Sequence, residues 1–209
     1  MARTGTRGEA KQAIKAGKKA ARPPAAAPEP ALMRRPALQG RAAAQPWVTL
    51  TPAAPAQRLS LRAPRDSVDA LSRALGLALP VTPGACAVAG SRAALWLGPD
   101  EWLVIEDGTA ALSPALGAVE AFHSAVDVSH RNVGILVAGG GAEATLASGC
   151  PRDLSAAAFA PGSCCRTVLG KAEIVVWRTG ADAFRVECWR SFGDYVFSFL
   201  AEAARDAGD

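Results

Sequence analysis

The sequence predicts an α+β domain in which a strand, helix, three strands, helix unit occurs twice. Three observations predict it. Short segments alternate apolar and polar residues, as half-buried strands do, and others repeat apolar residues at helical spacing. Two hairpins, about eighty residues apart in the chain, also match in detail. Neither unit can bury a sheet face alone, so the two are expected to pack as one domain.

The first unit opens with Arg58-Leu59-Ser60-Leu61-Arg62, whose period of two marks a strand. Asp66 or Ser67 can cap the helix that follows, and Val68, Leu71 and Leu75 fall on one face of it. Gly76 and Pro80 stop it. Ala85–Ala89 is a short strand. Ala93–Leu97 and Trp102–Glu106 form a hairpin around Gly98-Pro99-Asp100-Glu101. A helix of about ten residues is expected over Ala110–Glu120, weakened by Pro114 and Gly117. Ala125–Val128 is a further strand.

The second unit repeats the order. Val133–Ala138 is a strand, Gly139-Gly140-Gly141 turns into a helix over Ala142–Ser148, and Gly149-Cys150-Pro151 stops it. Strands follow at Ser163–Leu169, Lys171–Thr179 and Ala183–Arg190. A last helix runs from about Phe192 to Arg205, with Phe192, Tyr195, Val196, Phe199, Leu200 and Ala203 at helical spacing. In the hairpins, Leu95–Val104 parallels Val176–Val186: each has an aromatic, a Gly turn with an Asp, and an aromatic at the start of the return strand.

Charge divides the chain. Residues 1–41 hold ten Arg or Lys against Glu9 and Glu29, whereas the remainder has 13 basic and 17 acidic residues. Residues 1–45 are also rich in Ala and Pro and cannot bury enough apolar surface to offset their ordering entropy. A disordered basic tail over 1–45 and a folded domain over 46–209 are therefore expected. The tail reads as a solvated linker or, less directly, as an arm for nucleic acid or an anionic membrane. No apolar run reaches the ~18–20 residues of a membrane-spanning helix. No secretory signal is expected, and five irregularly spaced cysteines predict reduced thiols in the cytoplasm.

Residues with catalytic chemistry are few. Asp127, Ser129 and His130 could be drawn as a nucleophile set, but neighbours on an extended chain do not converge. With His123 and His130 as the two histidines and no CxxC pair, no zinc site is expected. Gly139–Gly141 precedes a helix but lacks the spacing of a phosphate loop. The residues that stand out are aromatic and basic ones on neighbouring strands: Trp177, Arg178, Arg185, Trp189 and Arg190, with His130 close in sequence. They suit a protein interface and suit a core equally, with single-stranded nucleic acid disfavoured by the acidic body. On Lys171–Thr179, Glu173, Val175 and Trp177 share one face, and Ala172, Ile174, Val176 and Arg178 the other.

From about Leu95 to Ala204 the chain resembles the gamma subunit of heterotetrameric sarcosine oxidase. The residues that carry the resemblance are Trp96-Leu97-Gly98-Pro99-Asp100-Glu101-Trp102-Leu103, Val126-Asp127-Val128-Ser129-His130-Arg131 and Gly149-Cys150-Pro151-Arg152-Asp153-Leu154. Arg166-Thr167-Val168-Leu169-Gly170-Lys171-Ala172-Glu173, Trp177-Arg178-Thr179-Gly180 and Phe184-Arg185-Val186-Glu187-Cys188-Trp189-Arg190-Ser191-Phe192 complete it. The resemblance implies a non-catalytic subunit that supports assembly with alpha, beta and delta partners. The complex it implies demethylates sarcosine to glycine with tetrahydrofolate as one-carbon acceptor. It also implies that FAD, FMN, NAD, tetrahydrofolate and zinc belong to those partners, with no cofactor, metal or catalytic site here.

More distantly, the chain is similar to the folate-binding domain of glycine-cleavage aminomethyltransferases, itself a duplicated fold. That likeness leaves an alternative, a stand-alone folate-binding or aminomethyltransferase-like protein. Those enzymes carry an Asp-Asp pair where this chain has Ala172-Glu173, so Glu173 is the one folate candidate. Its longer side chain displaces the charge, and a misplacement of about 1 Å can cost ~10²-fold in rate.

Overall fold

The computed structural model describes residues 35–207. The expected tail over residues 1–34 lies outside the described residues. The body begins earlier than residue 46. Leu38 is buried, and β1 (Ala43–Gln45) pairs antiparallel with β2 (Val48–Pro52). Trp47 in the intervening turn donates its indole N–H to Ala204 O at 2.8 Å. A two-residue turn with Trp47 as its anchor thus draws into the fold a stretch whose Ala and Pro content reads as tail.

Nine more strands follow: β3 (Gln57–Arg62), β4 (Cys86–Ala89), β5 (Arg92–Gly98), β6 (Glu101–Glu106), β7 (Ser124–Asp127), β8 (Asn132–Ala138), β9 (Cys164–Leu169), β10 (Ala172–Gly180) and β11 (Ala183–Trp189). The helices are α1 (Val68–Leu75), α2 (Leu112–Gly117), α3 (Ala142–Ala147) and α4 (Gly193–Asp206). The strands form two antiparallel sheets. One has the order β1-β2-β8-β11-β10-β9, the other β4-β5-β6-β3-β7.

Four layers result. On the outside of the six-stranded sheet, Ile135, Val137, Ile174, Val176, Phe184 and Val186 pack against Leu146 of α3 and Val196, Phe197 and Leu200 of α4. On the outside of the five-stranded sheet, Leu59, Leu61, Trp102 and Val104 pack against Val68, Leu71 and Leu75 of α1 and Leu112 and Leu116 of α2. Between the sheets lies a smaller apolar cluster of Leu95, Leu103, Ile105, Val128, Cys164 and Val175. Central β6 is covered on both faces, and all six of its residues are buried. Each large apolar side chain so buried contributes about 1.5–3 kcal/mol, which is why the helices hold despite lengths that would be marginal alone.

Local chemistry explains where elements differ from expectation. Helix α2 spans six residues rather than ten, because Pro114 is tolerated only in a first turn and Gly117 ends it. Ser67 makes no side-chain cap to α1; it ends a 3₁₀ turn over Arg65–Ser67 that leads into the helix. Gly76 terminates α1 in the left-handed conformation, φ 61°, as its place suggested. On α4, Val196, Leu200 and Ala203 are buried as the spacing predicts, with Phe197 and Ala204 beside them. Phe192 and Tyr195 are each 40 % exposed, so they are surface residues rather than core.

Gly139 follows β8 with φ 124°, and a Cβ there would come 2.3 Å from Trp47 O. Both strain and overlap oppose any side chain. Gly139→Ala is expected to destabilise the fold by about 3 kcal/mol, measured as a fall in the urea midpoint. A midpoint unchanged from wild type would show that the β8–α3 turn is not fixed against Trp47 as described.

Candidate functional site

Strand β11 reads Arg185-Val186-Glu187-Cys188, and its period of two turns Val186 and Cys188 to the helix layer and Arg185 and Glu187 to the other sheet. Glu187 is 2 % exposed, Arg58 on β3 is 3 % and Arg185 is 4 %. Glu187 accepts two hydrogen bonds from Arg58, Nε at 2.6 Å and Nη2 at 3.0 Å, and one from Arg185 Nε at 2.9 Å. Arg185 Nη1 reaches Asp107 Oδ2 at 2.6 Å. Opposite Glu187 on β8 stands Gly134, where a Cβ would lie 2.7 Å from the carboxylate, so glycine leaves the room this cluster needs. Burial alone would depress the Arg185 guanidinium, but the carboxylates of Glu187 and Asp107 outweigh it and hold it above its ordinary value.

A second charged group closes another side of the layer. Glu101 on β6 accepts from Arg62 of its own sheet at 2.9 Å and from Arg166 of the other sheet, Nη1 at 3.2 Å and Nη2 closer. The Arg166 hydrogen bonds lower the Glu101 carboxyl below its ordinary value against the opposing effect of burial, with the charges of Arg166 and Arg62 adding to them. Glu101 and Arg166 line a narrow cavity of about 50 Å³ that also touches Ser60, Glu173 and Trp189. Small-molecule sites enclose roughly 300–1,000 Å³. The cavity beside Glu173 does not have the room for a tetrahydrofolate, so the residues present do not fit that group.

The six interface candidates separate. Arg178 is 3 % exposed and donates to Leu154 O at 2.7 Å, Phe159 O at 3.2 Å and Ala181 O at 3.1 Å, with Phe184 beneath it at 4.8 Å. It pins two loops to β10. Arg185 belongs to the buried cluster, and Trp177 is half-buried against the layer between the sheets. In this chain those three are interior, since the alternation of β10 and β11 turns both faces toward cover. His130, Trp189 and Arg190 are exposed. Trp189 pairs with Asn132 across β8 and β11, and Arg190 N–H donates to Arg131 O at 2.6 Å.

Arg58, Asp107 and Glu187 were missed from the sequence. The available signal was charge at alternating positions of a strand otherwise made of Phe, Val and Cys. The face assignment on β10 is as expected: Ala172, Ile174 and Val176 face the helices, and Val175 and Trp177 face the other sheet.

The nucleophile set does not form. Ser129 Oγ accepts from Arg58 N–H at 2.9 Å, and Asp127 Oδ1 accepts from Ser129 N–H at 2.8 Å, a local turn. The N–H groups of Gly141 and Ala142 donate to Trp47 O and Gly139 O, so the start of α3 is engaged by backbone. Burial pushes the thiols of Cys164 and Cys188 up to about 12 and that of Cys165 to about 11, which keeps them protonated near neutrality. Among the described residues no group of three or more His, Cys, Asp or Glu is gathered as a metal site requires. No described helix is long and apolar enough to cross a membrane.

Two expectations follow. Glu187→Gln leaves two buried arginines undercompensated and is expected to cost about 3–5 kcal/mol, read by chemical denaturation; a loss below 1 kcal/mol would mean the cluster is hydrated. Glu101 is lowered on folding, so its contribution is present above the ordinary value of 4.5 and is lost as pH falls through the lowered one. Stability should therefore decline below about pH 4.5, and Glu101→Gln should flatten part of that decline. An identical acid slope in the variant would remove Glu101 from the account.

Residues 63–206 match the Sarcosine oxidase, gamma subunit family. The chain is 33% identical over 162 residues to the sarcosine oxidase subunit gamma of Corynebacterium sp. (strain U-96), covering 75% of this chain and 78% of that one. It is 32% identical over 137 residues to the subunit gamma of an Arthrobacter sp., covering 64% of this chain and 68% of that one. In structure it is similar to a chain of the heterotetrameric sarcosine oxidase of Corynebacterium sp. U-96, solved in complex with pyrrole 2-carboxylate. The TM-score is 0.74 at 30% identity, over 83% of this chain and 92% of that one. A fold likeness extends to the glycine cleavage system aminomethyltransferase T of Bartonella henselae, with TM-score 0.54 and 14% identity, over 74% of this chain and 45% of that one.

Proposed function

The chain belongs to the sarcosine oxidase gamma subunit family, and from that premise we propose that it is a non-catalytic subunit that supports assembly of a heterotetrameric sarcosine oxidase. Its partners are alpha, beta and delta subunits in the cytoplasm. The complex demethylates sarcosine oxidatively to glycine, with tetrahydrofolate as one-carbon acceptor. FAD, FMN, NAD, tetrahydrofolate and zinc reside on the partners.

One observation carries this reading: the fold covers 92% of a chain from a heterotetrameric sarcosine oxidase. The interior supports it. The carboxylates of Glu187, enclosed between the sheets, and of Glu101, nearer their edge, are each held by two arginines. Charges so saturated fix structure and are poor general acids or bases, whose work needs a proton held near the operating pH. The shared connectivity supports an internal duplication: β4-β5-β6-β3 in one sheet corresponds to β9-β10-β11-β8 in the other, with α1 and α3 entering at equivalent points.

Co-expression of the four subunits, with and without this chain, tests the proposal by size exclusion and a sarcosine-dependent peroxide assay. The chain is expected to co-elute with a flavin-coloured complex, and its omission to abolish that complex. A complex that assembles and turns over normally without the chain would overturn the assembly role.

A further inference from the structure

Where β8 begins and β11 ends, the surface changes character. Trp189 is 42 % exposed and Phe192 and Tyr195 are 40 % each. Trp189 and Phe192 stack with centroids 6.2 Å apart, tilted by 43°. Phe192 ends the 3₁₀ turn that leads into α4, and Tyr195 follows in the first turn of the helix. Tyr195 reaches across to the β9–β10 turn, where its hydroxyl accepts from Lys171 N–H at 3.2 Å. Scattered apolar residues on a surface need no explanation, but adjoining aromatics do.

Three cations rim these rings. Arg131 lies over Trp189 at 5.3 Å. Arg190 is joined to Arg131 through the backbone and donates Nη2 to Arg35 O at 2.7 Å. Lys171 is exposed beside Tyr195. None of the three forms an ion pair among the described residues, although ten arginine–carboxylate contacts form elsewhere in the fold. The body as a whole carries more acidic than basic residues beyond position 41, so unpaired cations gathered around exposed rings are a local arrangement.

We infer that Trp189, Phe192 and Tyr195, rimmed by Arg131, Lys171 and Arg190, form the docking surface for a partner subunit that presents carboxylates around an apolar centre. Trp, Tyr and Arg are the residue types that dominate binding energy at protein interfaces. The three cations require opposite charge from the partner, and complementary potentials set both register and association rate. A symmetric contact of this patch with itself in a second copy does not supply that charge, because it sets the three cations against their own images. The inference rests on the subunit reading above and adds to it which surface is used and what chemistry meets it.

The experiment uses the co-expressed complex. Chain retained per complex is measured by size exclusion for wild type, Trp189→Ser with Phe192→Ser, Arg131→Glu with Arg190→Glu, Arg190→Lys, and a control, Val88→Ser, exposed on β4. Each aromatic or charge-reversed pair is expected to weaken retention on the order of 30-fold. Arg190→Lys and Val88→Ser are expected to stay near wild type. Weakening of wild-type retention between about 0.1 and 1 M salt is also expected, since screening shortens from ~10 to ~3 Å. The charge reversals lie on the surface, so they test the patch even where the aromatic pair lowers solubility.

Retention of both pairs at the wild-type level overturns the surface and leaves the subunit reading standing. Failure of wild type itself to enter the complex overturns both. Equal loss with Val88→Ser also overturns the surface. So does binding of the full chain to phosphatidylserine vesicles, or its self-association, if the Arg131→Glu, Arg190→Glu pair abolishes that while retention in the complex is unchanged.

Discussion

Glu187 sits between Arg58 and Arg185, and none of the three reaches water. Everything between the two sheets depends on that arrangement. A carboxylate there without partners would cost several kcal/mol in desolvation, and so would either arginine. The partners come from opposite sheets: Arg58 from β3 crosses to Glu187 on β11, and Arg185 crosses back to Asp107 after β6. Arg166 on β9 crosses to Glu101 on β6 in the same way. A sheet-on-sheet interface built from apolar residues alone can slide or rotate at small cost. One stitched by three directional ion pairs has a single register. The apolar cluster between the sheets is the smallest of the three, so geometry at this layer is set by charge more than by area.

This accounts for which parts of the fold were legible in the sequence. Elements whose cause is local were placed to within a residue or two. β3, α1, β5, β6, β8, β10 and β11 follow from alternation, amphipathic spacing and Gly turns. The six-residue length of α2 was not legible, although Pro114 and Gly117 pointed toward it. Long-range causes left no local mark. β1 exists because Val48–Pro52 offers it an edge and because the indole of Trp47 reaches Ala204, 157 residues on.

The site was legible in part for the same reason. A strand containing Arg185 and Glu187 announces two charges on one face, but not that the face is enclosed. Read alone, such residues suit a solvated or interface surface, as Arg178 and Arg185 did. Enclosure is decided by what crosses from the other sheet, and the sequence separates Arg58 from Glu187 by 129 residues. Trp189 and Arg190 are exposed because β11 ends at Trp189, where cover by the opposite sheet runs out. Phe192 and Tyr195 were hidden by a helical period that fits a buried stripe equally well; Gly193 and Phe197 occupy the buried side in their place.

Inside and outside therefore carry opposite electrostatic states, and the contrast bears on what the chain does. The carboxylates of Glu101 and Glu187 are held by guanidinium donors, the thiols of Cys164 and Cys188 are held protonated by burial, and the Gly141 and Ala142 N–H groups are taken by the carbonyls of Trp47 and Gly139. The buried ion pairs thus hold the two sheets together. Among the described residues, Arg131, Lys171 and Arg190 form no ion pair, and they lie beside exposed rings. The interior charges are paired across the sheets, whereas cations and aromatics gather at one end of one sheet, the surface proposed for a partner. That division of labour is the one a subunit needs: rigidity from crossed ion pairs within, and recognition from an incomplete set at the surface.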